Sequence, residues 1–371
     1  MSPLPLRSRR APTLVGTVAF LLGASASSSL AAQGAPRAFT TEDALDVRTV
    51  RVEDVTRDGR WIAASVSTRR DRSGVDHFRY GDPTYVAPSR GDLLVIDATS
   101  GQQRALFPAK EQLRGATWSP DGTMLAFFRR DGDAFRLHVH EAASGRTRAI
   151  TLRGAPSISS QSPLVWAPDG TQVLITLRSA GWADSAHRAF VALSEGPIVV
   201  QQSSDPFLDW DRVRGMAAEE QLALVTLATG AVRPLPITRS VTSPRFTADG
   251  TSLVYGLAEP RRTSYERAKG TWFGLYRLRL RDLAVDTLLS PREQRLTAVW
   301  NEAATRVAWT DRGNVFVRAL DADSAVNLTA AHRTPRSTSD TSRLAFSIER
   351  WRPDGNALLL ASREGLPLLD V

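Results

Sequence analysis

One turn chemistry recurs six times along this chain and limits what it can fold into more than any other feature. The clearest copies read Trp118-Ser119-Pro120-Asp121-Gly122, Trp166-Ala167-Pro168-Asp169-Gly170 and Trp351-Arg352-Pro353-Asp354-Gly355. Each runs on into an apolar stretch: Met124 to Phe128, Val173 to Leu177 and Ala357 to Ala361. Phe246-Thr247-Ala248-Asp249-Gly250 is a fourth copy. Eroded ones stand at Thr56-Arg57-Asp58-Gly59, before Trp61, and at Trp300-Asn301-Glu302-Ala303, before Val307 to Trp309. Proline presets φ at one corner of a tight turn and glycine accepts positive φ at a later one, so each unit predicts a hairpin.

A second hairpin follows each first one. Apolar runs at Leu93 to Ile96, Arg136 to His140, Leu222 to Val225, Leu275 to Leu280 and Val315 to Leu320 supply third strands. Three of them turn on related tetrads, Ala98 to Gly101, Ala142 to Gly145 and Leu227 to Gly230, before short strands such as Thr147 to Leu152. Four antiparallel strands per repeat is the blade of a β-propeller, in which each sheet buries its faces against its neighbours. The expected fold is all-β: an incomplete propeller of about five blades plus a partial sixth. The aspartates at 58, 121, 169, 249 and 354 are spaced 63, 48, 80 and 105 residues apart, with the Glu302 copy inside the last interval. The long spacings place insertions at Arg69 to Ser89 and Gly181 to Glu219.

Residues 1–31 read as a signal peptide: Arg7, Arg9 and Arg10, an apolar core from Leu14 to Ala24, then small residues around Ala31. Ser8-Arg9-Arg10 approaches a twin-arginine signal, but Pro12 and Thr13 stand where that signal wants an apolar pair, which favours the general secretory route. The core is too short to span a bilayer and no later segment is apolar enough. The mature protein is therefore expected in the periplasm or outside the cell, without a membrane span. The chain has no cysteine, so neither a disulfide nor a lipidated thiol is open to it. Cleavage removes three of the arginines behind the formal charge of +8. The arginines left are scattered, which argues against nucleic acid as a partner. Residues 32–48 form a lead-in whose Phe39 to Leu45 predicts a helical turn, with Thr40 as cap and Asp43 at the capping-box position. The propeller is assigned to residues 49–371.

Phe39 to Leu45, then Val52 to Ala63, followed by the Trp-Ser-Pro-Asp-Gly units, resembles the start of an exported bacterial peptidase of the prolyl oligopeptidase family, the group that includes dipeptidyl peptidase IV. The resemblance covers nearly all of the chain beyond the signal. It implies a propeller that caps an α/β-hydrolase domain and limits access of peptide substrates to a Ser-Asp-His site. Similar Asp-Gly units build TolB-like periplasmic propellers, whose partners are proteins. The lead-in helix and the long insertions are nearer to the peptidases. No Gly-x-Ser-x-Gly elbow occurs in the sequence; Gly23-Ala24-Ser25-Ala26-Ser27 lacks the final glycine. No catalytic residue of the family is therefore carried over, and a gene fragment, a split frame or an engineered boundary is the expectation. Arg363 to Val371 reads as the opening of a third strand.

The remaining constellations are weak. His138 and His140 alternate on one strand beside Glu141, which suggests a solvated face sooner than a metal site lacking its third ligand. His77, His187 and His332 are dispersed. Asp131-Gly132-Asp133 reads as a hairpin tip rather than a calcium loop. Glu219 and Glu220 end a stretch, Asp209 to Leu222, that can form a helix. The resemblance would make such a pair a clamp for a substrate amino terminus, although it lies well after Trp210, and a solvated helix end is the simpler reading. No catalytic, cofactor or metal residue is assigned.

Overall fold

In the computed structural model, residues 37–154, 156–196, 207–261, 270–293, 297–332 and 343–365 are described, with the single positions 198, 200, 202 and 204. The expected signal peptide lies outside them. The chain divides into two units between Ala44 and Leu45. In the first, α1 (Thr41–Asp46) begins as the sequence predicts: Thr40 N donates to Asp43 Oδ2 at 2.8 Å and Asp43 N donates back to Thr40 Oγ1 at 3.3 Å. Arg37 adds an ion pair to the same carboxylate and, with Thr40, holds it at about 2.

The second unit is a β-propeller of four-stranded antiparallel blades. The first blade is β1 (Thr49–Val55), β2 (Trp61–Ser67), β3 (Asp92–Asp97) and β4 (Gln103–Ala105). The second is β5 (Leu113–Trp118), β6 (Met124–Asp131), β7 (Ala134–Glu141) and β8 (Thr147–Ala149). A short β9 (Ser157–Ile158) bonds to both β7 and the third blade, so the second and third blades merge into one nine-stranded sheet. The third blade is β10 (Val165–Trp166), β11 (Gln172–Arg178), β12 (Gln221–Thr226) and β13 (Ala231–Pro234), with α2 (Trp182–Ser194) and α3 (Asp209–Gly215) between β11 and β12. Then come β14 (Val241–Phe246), β15 (Ser252–Pro260), β16 (Thr271–Arg279) and β17 (Val285–Arg292). A fifth set is β18 (Ala298–Trp300), β19 (Arg306–Asp311), β20 (Asn314–Ala319) and β21 (Val326–Asn327), followed by the pair β22 (Arg343–Trp351) and β23 (Leu358–Gly365). Arg363 to Gly365 therefore continue a second strand, paired with Ala345 to Arg343, and do not open a third as the sequence suggested. No helix among the described residues is long and apolar enough to cross a membrane.

The repeat owes its geometry to a small hydrogen-bond circuit. Ser119 Oγ donates to Asp121 Oδ1 and accepts from Met124 N at 3.0 Å, while Asp121 Oδ1 also accepts from Thr123 N at 3.1 Å. Thr56 with Asp58 and Thr247 with Asp249 repeat it. These bonds satisfy backbone donors that the turn would otherwise orphan. In the fifth set, Asn301 Oδ1 accepts from both Thr305 N and Arg306 N at 2.9 Å, and Ala304, at φ 52°, takes the glycine place. Ala303, not Glu302, thus stands where the other turns have aspartate. Glu302 takes the proline place and forms an ion pair with Arg57 of the first turn.

Trp118, Trp166, Phe246 and Trp300, all buried, end the first strands of successive sets, as the repeat predicts. Trp351 ends β22 in the same way but is half-buried. Blade faces interlock in four apolar clusters. One joins Ala63, Leu93 and Val95 of the first blade to Trp118, Leu125 and Phe127 of the second. At roughly 25 cal/mol per Å² of apolar surface removed from water, these interfaces dominate stability. On β1, by contrast, Val50 and Val52 are mostly exposed.

Candidate functional site

Both predicted insertions exist, and they meet. The first leaves β2, forms 3-10 turns at Arg70–Arg72 and His77–Arg79, and returns at β3. Its anchor is Asp82, fully buried, which accepts from Thr84 N at 2.9 Å and from Arg79 Nη2 at 2.7 Å. His187 Nδ1, on α2 of the second insertion, lies 3.2 Å from the same carboxylate. Burial pushes the Asp82 carboxyl up, but the bonds from Thr84 and Arg79 outweigh it and hold the group below its usual range. Within the second insertion, Phe190 packs edge-on against Trp210 at 6.0 Å.

Beneath the first insertion lies a cleft of about 850 Å³ between the first two blades. One wall is the face of β1 that carries Thr49, Arg51 and Glu53; the other is Leu113 to Ala116 of β5. A bulge shapes that second wall. The β5–β6 ladder passes from Arg114↔Phe128 to Thr117↔Ala126, and Gly115 sits at φ 67° with its missing Cβ facing Phe128 at 3.4 Å. Bulges re-aim backbone and side chains in this way at the margins of sites. Ser65, Ser67, Ser89 and Ser160 line the cleft, and no histidine or lysine does among the described residues. Ser65 Oγ donates to Glu53 Oε1 at 2.5 Å, so this hydroxyl is tied to a carboxylate of the same wall.

The far end of the second insertion is fixed by a buried ion pair. Arg178 and Glu220, with side chains 4% and 1% exposed, approach to 3.3 Å. Ser159 Oγ donates to Glu220, while Arg178 donates to the carbonyls of Glu219 at 2.7 Å and Ala217 at 2.9 Å and stacks on Trp182. Burial draws the Arg178 pKa down, with Glu220 and Glu219 opposing it. The guanidinium thus binds the orphan carbonyls that follow α3.

This geometry corrects the sequence reading of Asp209 to Leu222. Helix α3 ends at Gly215, a 3-10 turn covers Met216–Ala218, and Gln221 and Leu222 already belong to β12. Glu219 is exposed and Glu220 is buried on a structural arginine, so the two carboxylates do not form a clamp or a solvated helix end. The Glu220 partner, Arg178, carried no sequence signal beyond its place on an apolar strand.

His138 and His140 are also corrected: they share a strand, but both are buried. The His138 ring stacks on Phe127 at 5.5 Å. His140 Nε2 lies 3.3 Å from Arg104 Nη2, a donor, so the ring proton sits on Nδ1 and is donated to Thr147 Oγ1 at 2.9 Å. Burial brings both rings down to about 4, helped by Arg129 and Arg136 at His138 and by Arg104 at His140. No group of three metal-ligating side chains occurs among the described residues. Asp131, Gly132 and Asp133 form the β6–β7 hairpin tip, as expected, with Gly132 at φ 60°.

No family model matches the chain. Similar solved structures include TolB from Acinetobacter baumannii, at 13% identity over 75% of this chain and 54% of that one, TM-score 0.43. An acylaminoacyl peptidase from Pyrococcus horikoshii matches at 8% identity over 78% of this chain and 40% of that one, TM-score 0.47. A prolyl endopeptidase matches at 15% over 81% and 38%, TM-score 0.46. The chain thus spans about half the length of the TolB structure and about two fifths of the peptidases.

Proposed function

We propose that this chain is a non-catalytic propeller that receives extended peptide in the cleft between its first two blades, and that it serves as the substrate-gating part of an exported serine peptidase of the prolyl oligopeptidase type. The cleft carries the reading. It is large enough for several residues of peptide, is roofed by an insertion anchored on Asp82, and offers hydroxyls, guanidinia and carboxylates along its walls. Pockets of this size with convergent polar groups are the usual places for ligands. The lead-in helix capped by Thr40 and Asp43, followed by the Val52 to Ala63 segment, supports the peptidase resemblance over a TolB-like protein-binding scaffold.

Purified protein treated with a fluorophosphonate serine probe and with prolyl peptide substrates tests the non-catalytic part. The expected results are no stoichiometric serine labelling and no hydrolysis. Stoichiometric labelling of any serine contradicts it.

A further inference from the structure

The cleft is charged, and its charges do not balance. Of its four carboxylates, Asp82 is held by Arg79 at 2.7 Å, Glu111 by Arg129 at 2.7 Å, and Glu53 by Ser65 Oγ at 2.5 Å with Arg51 at 3.8 Å. Asp92 is left without an ion pair among the described residues. Against it stand three arginines that meet no carboxylate at ion-pair distance there. Arg72 and Arg90 make no side-chain hydrogen bond or ion pair among the described residues. Arg114 donates to the Ser162 carbonyl at 3.2 Å from Nη2 and lies over the Phe135 ring at 5.7 Å.

We propose that this surplus makes the cleft a receptor for peptide carboxylate, with Arg72, Arg90 and Arg114 as its binding residues. This rests on the peptide-binding reading above and goes beyond it by naming the ligand chemistry. Arg114 is the preorganised member. An aromatic ring lies under its guanidinium and a carbonyl holds one of its donors, so little rotamer freedom remains to be lost when its other donors meet an oxyanion. Burial also draws its pKa below the usual guanidinium value, with Glu220 behind the wall opposing, so the cation is poorly solvated and gains from an anionic partner. Arg72 and Arg90 belong to the insertion that roofs the cleft, and a carboxylate between them and Arg114 would tie roof to wall. The carboxylate has two sources in a peptide, the free C-terminus and an Asp or Glu side chain.

Three acetylated pentapeptides separate the outcomes in calorimetric titrations of the full chain at low salt: pentaalanine with a free C-terminus, its C-terminal amide, and the amide with a central glutamate. The expected result is that at least one anionic peptide binds ten-fold or more tighter than the neutral amide. Which one does identifies the source. That preference should fall at least five-fold in R72Q/R90Q, a pair of surface changes that break no bond in the structure, and should fall again with R114Q. Unchanged thermal unfolding of R72Q/R90Q guards against a folding artefact. Equal binding of all three peptides overturns the carboxylate proposal while leaving the peptide-binding reading standing. Binding of none overturns both.

Discussion

The indole Nε1 of Trp166 donates to the carbonyl of Thr117 at 3.0 Å, across the boundary between the third and second blades. Trp351 does the same to Val299 at 2.8 Å, and in both cases the acceptor is the residue immediately before the aromatic of the preceding set. The recurring tryptophan thus has two tasks. Its ring fills the space between blades, and its N–H ties one blade's first strand to the next. Trp118 has the same place in the repeat, yet its Nε1 is buried without a partner among the described residues.

That contrast predicts different responses to one substitution. Trp166→Phe removes the indole bond to the Thr117 carbonyl, which the β5–β6 ladder still engages, and should cost about 1 kcal/mol beyond its packing loss. Trp118→Phe breaks no such bond and should cost clearly less. Alanine at either position opens a cavity and should cost about 3–5 kcal/mol. Denaturant unfolding of the four variants checks the order.

The turn circuit predicts that Ser119→Ala and Asp121→Ala are both destabilising, by roughly 1–2 kcal/mol each, because each removes a partner of backbone or side-chain donors in the turn. They share one circuit, so the double variant should cost less than the sum. Strict additivity in a double-mutant cycle would break the claim that they act together.

Much of this was legible from sequence. Aromatic, Asp and Gly at fixed spacing gave the strand ends, the turns and the order of the sheets, because those residue types answer to local backbone demands. Asn301 with Ala304 builds the same turn without Asp or Gly, which is why this copy looks eroded in the sequence although its turn is kept, with Ala303 in the aspartate place. The Arg178–Glu220 pair was not legible, since its members are 42 residues apart and only the packing of the second insertion joins them. The histidine pair was misread for a related reason: strand alternation fixes which face a ring takes, but not whether another element covers that face.

Those histidines set an acid limit on stability. Each titrates near 6.5 when solvated and at about 4 in the fold, so between those values the unfolded chain binds more protons. Their contribution is complete above about pH 6.5 and is lost as pH falls through that window, roughly 2 kcal/mol per ring by pH 4.5. Asp58, Asp121 and Asp249, held below the ordinary 3.8 chiefly by their hydroxyl partners, should add a second loss only at lower pH. Melting temperatures from pH 7.5 to 3 should show both stages. Replacing both histidines by Gln should flatten the first, and an unchanged slope would place the titrating groups elsewhere.

Arg178→Met strands the Glu220 carboxylate and frees the carbonyls of Ala217 and Glu219, so a loss of about 3–5 kcal/mol is expected. Glu220→Gln keeps an acceptor for Ser159 and Arg178 and should cost less. Chemical denaturation ranks the two, and the reverse order would show that Arg178 is not the anchor of the second insertion.

The central claim is that the cleft between the first two blades holds peptide without cutting it. One measurement addresses both halves: a peptide carrying a photoreactive benzophenone is bound, irradiated, and mapped on the protein by mass spectrometry. The account predicts adducts on β1, on Leu113 to Ala116 of β5 and on the roof between Arg79 and Arg90, with the attached peptide intact. Adducts concentrated away from those segments, or attached peptide recovered in cleaved form, would contradict it.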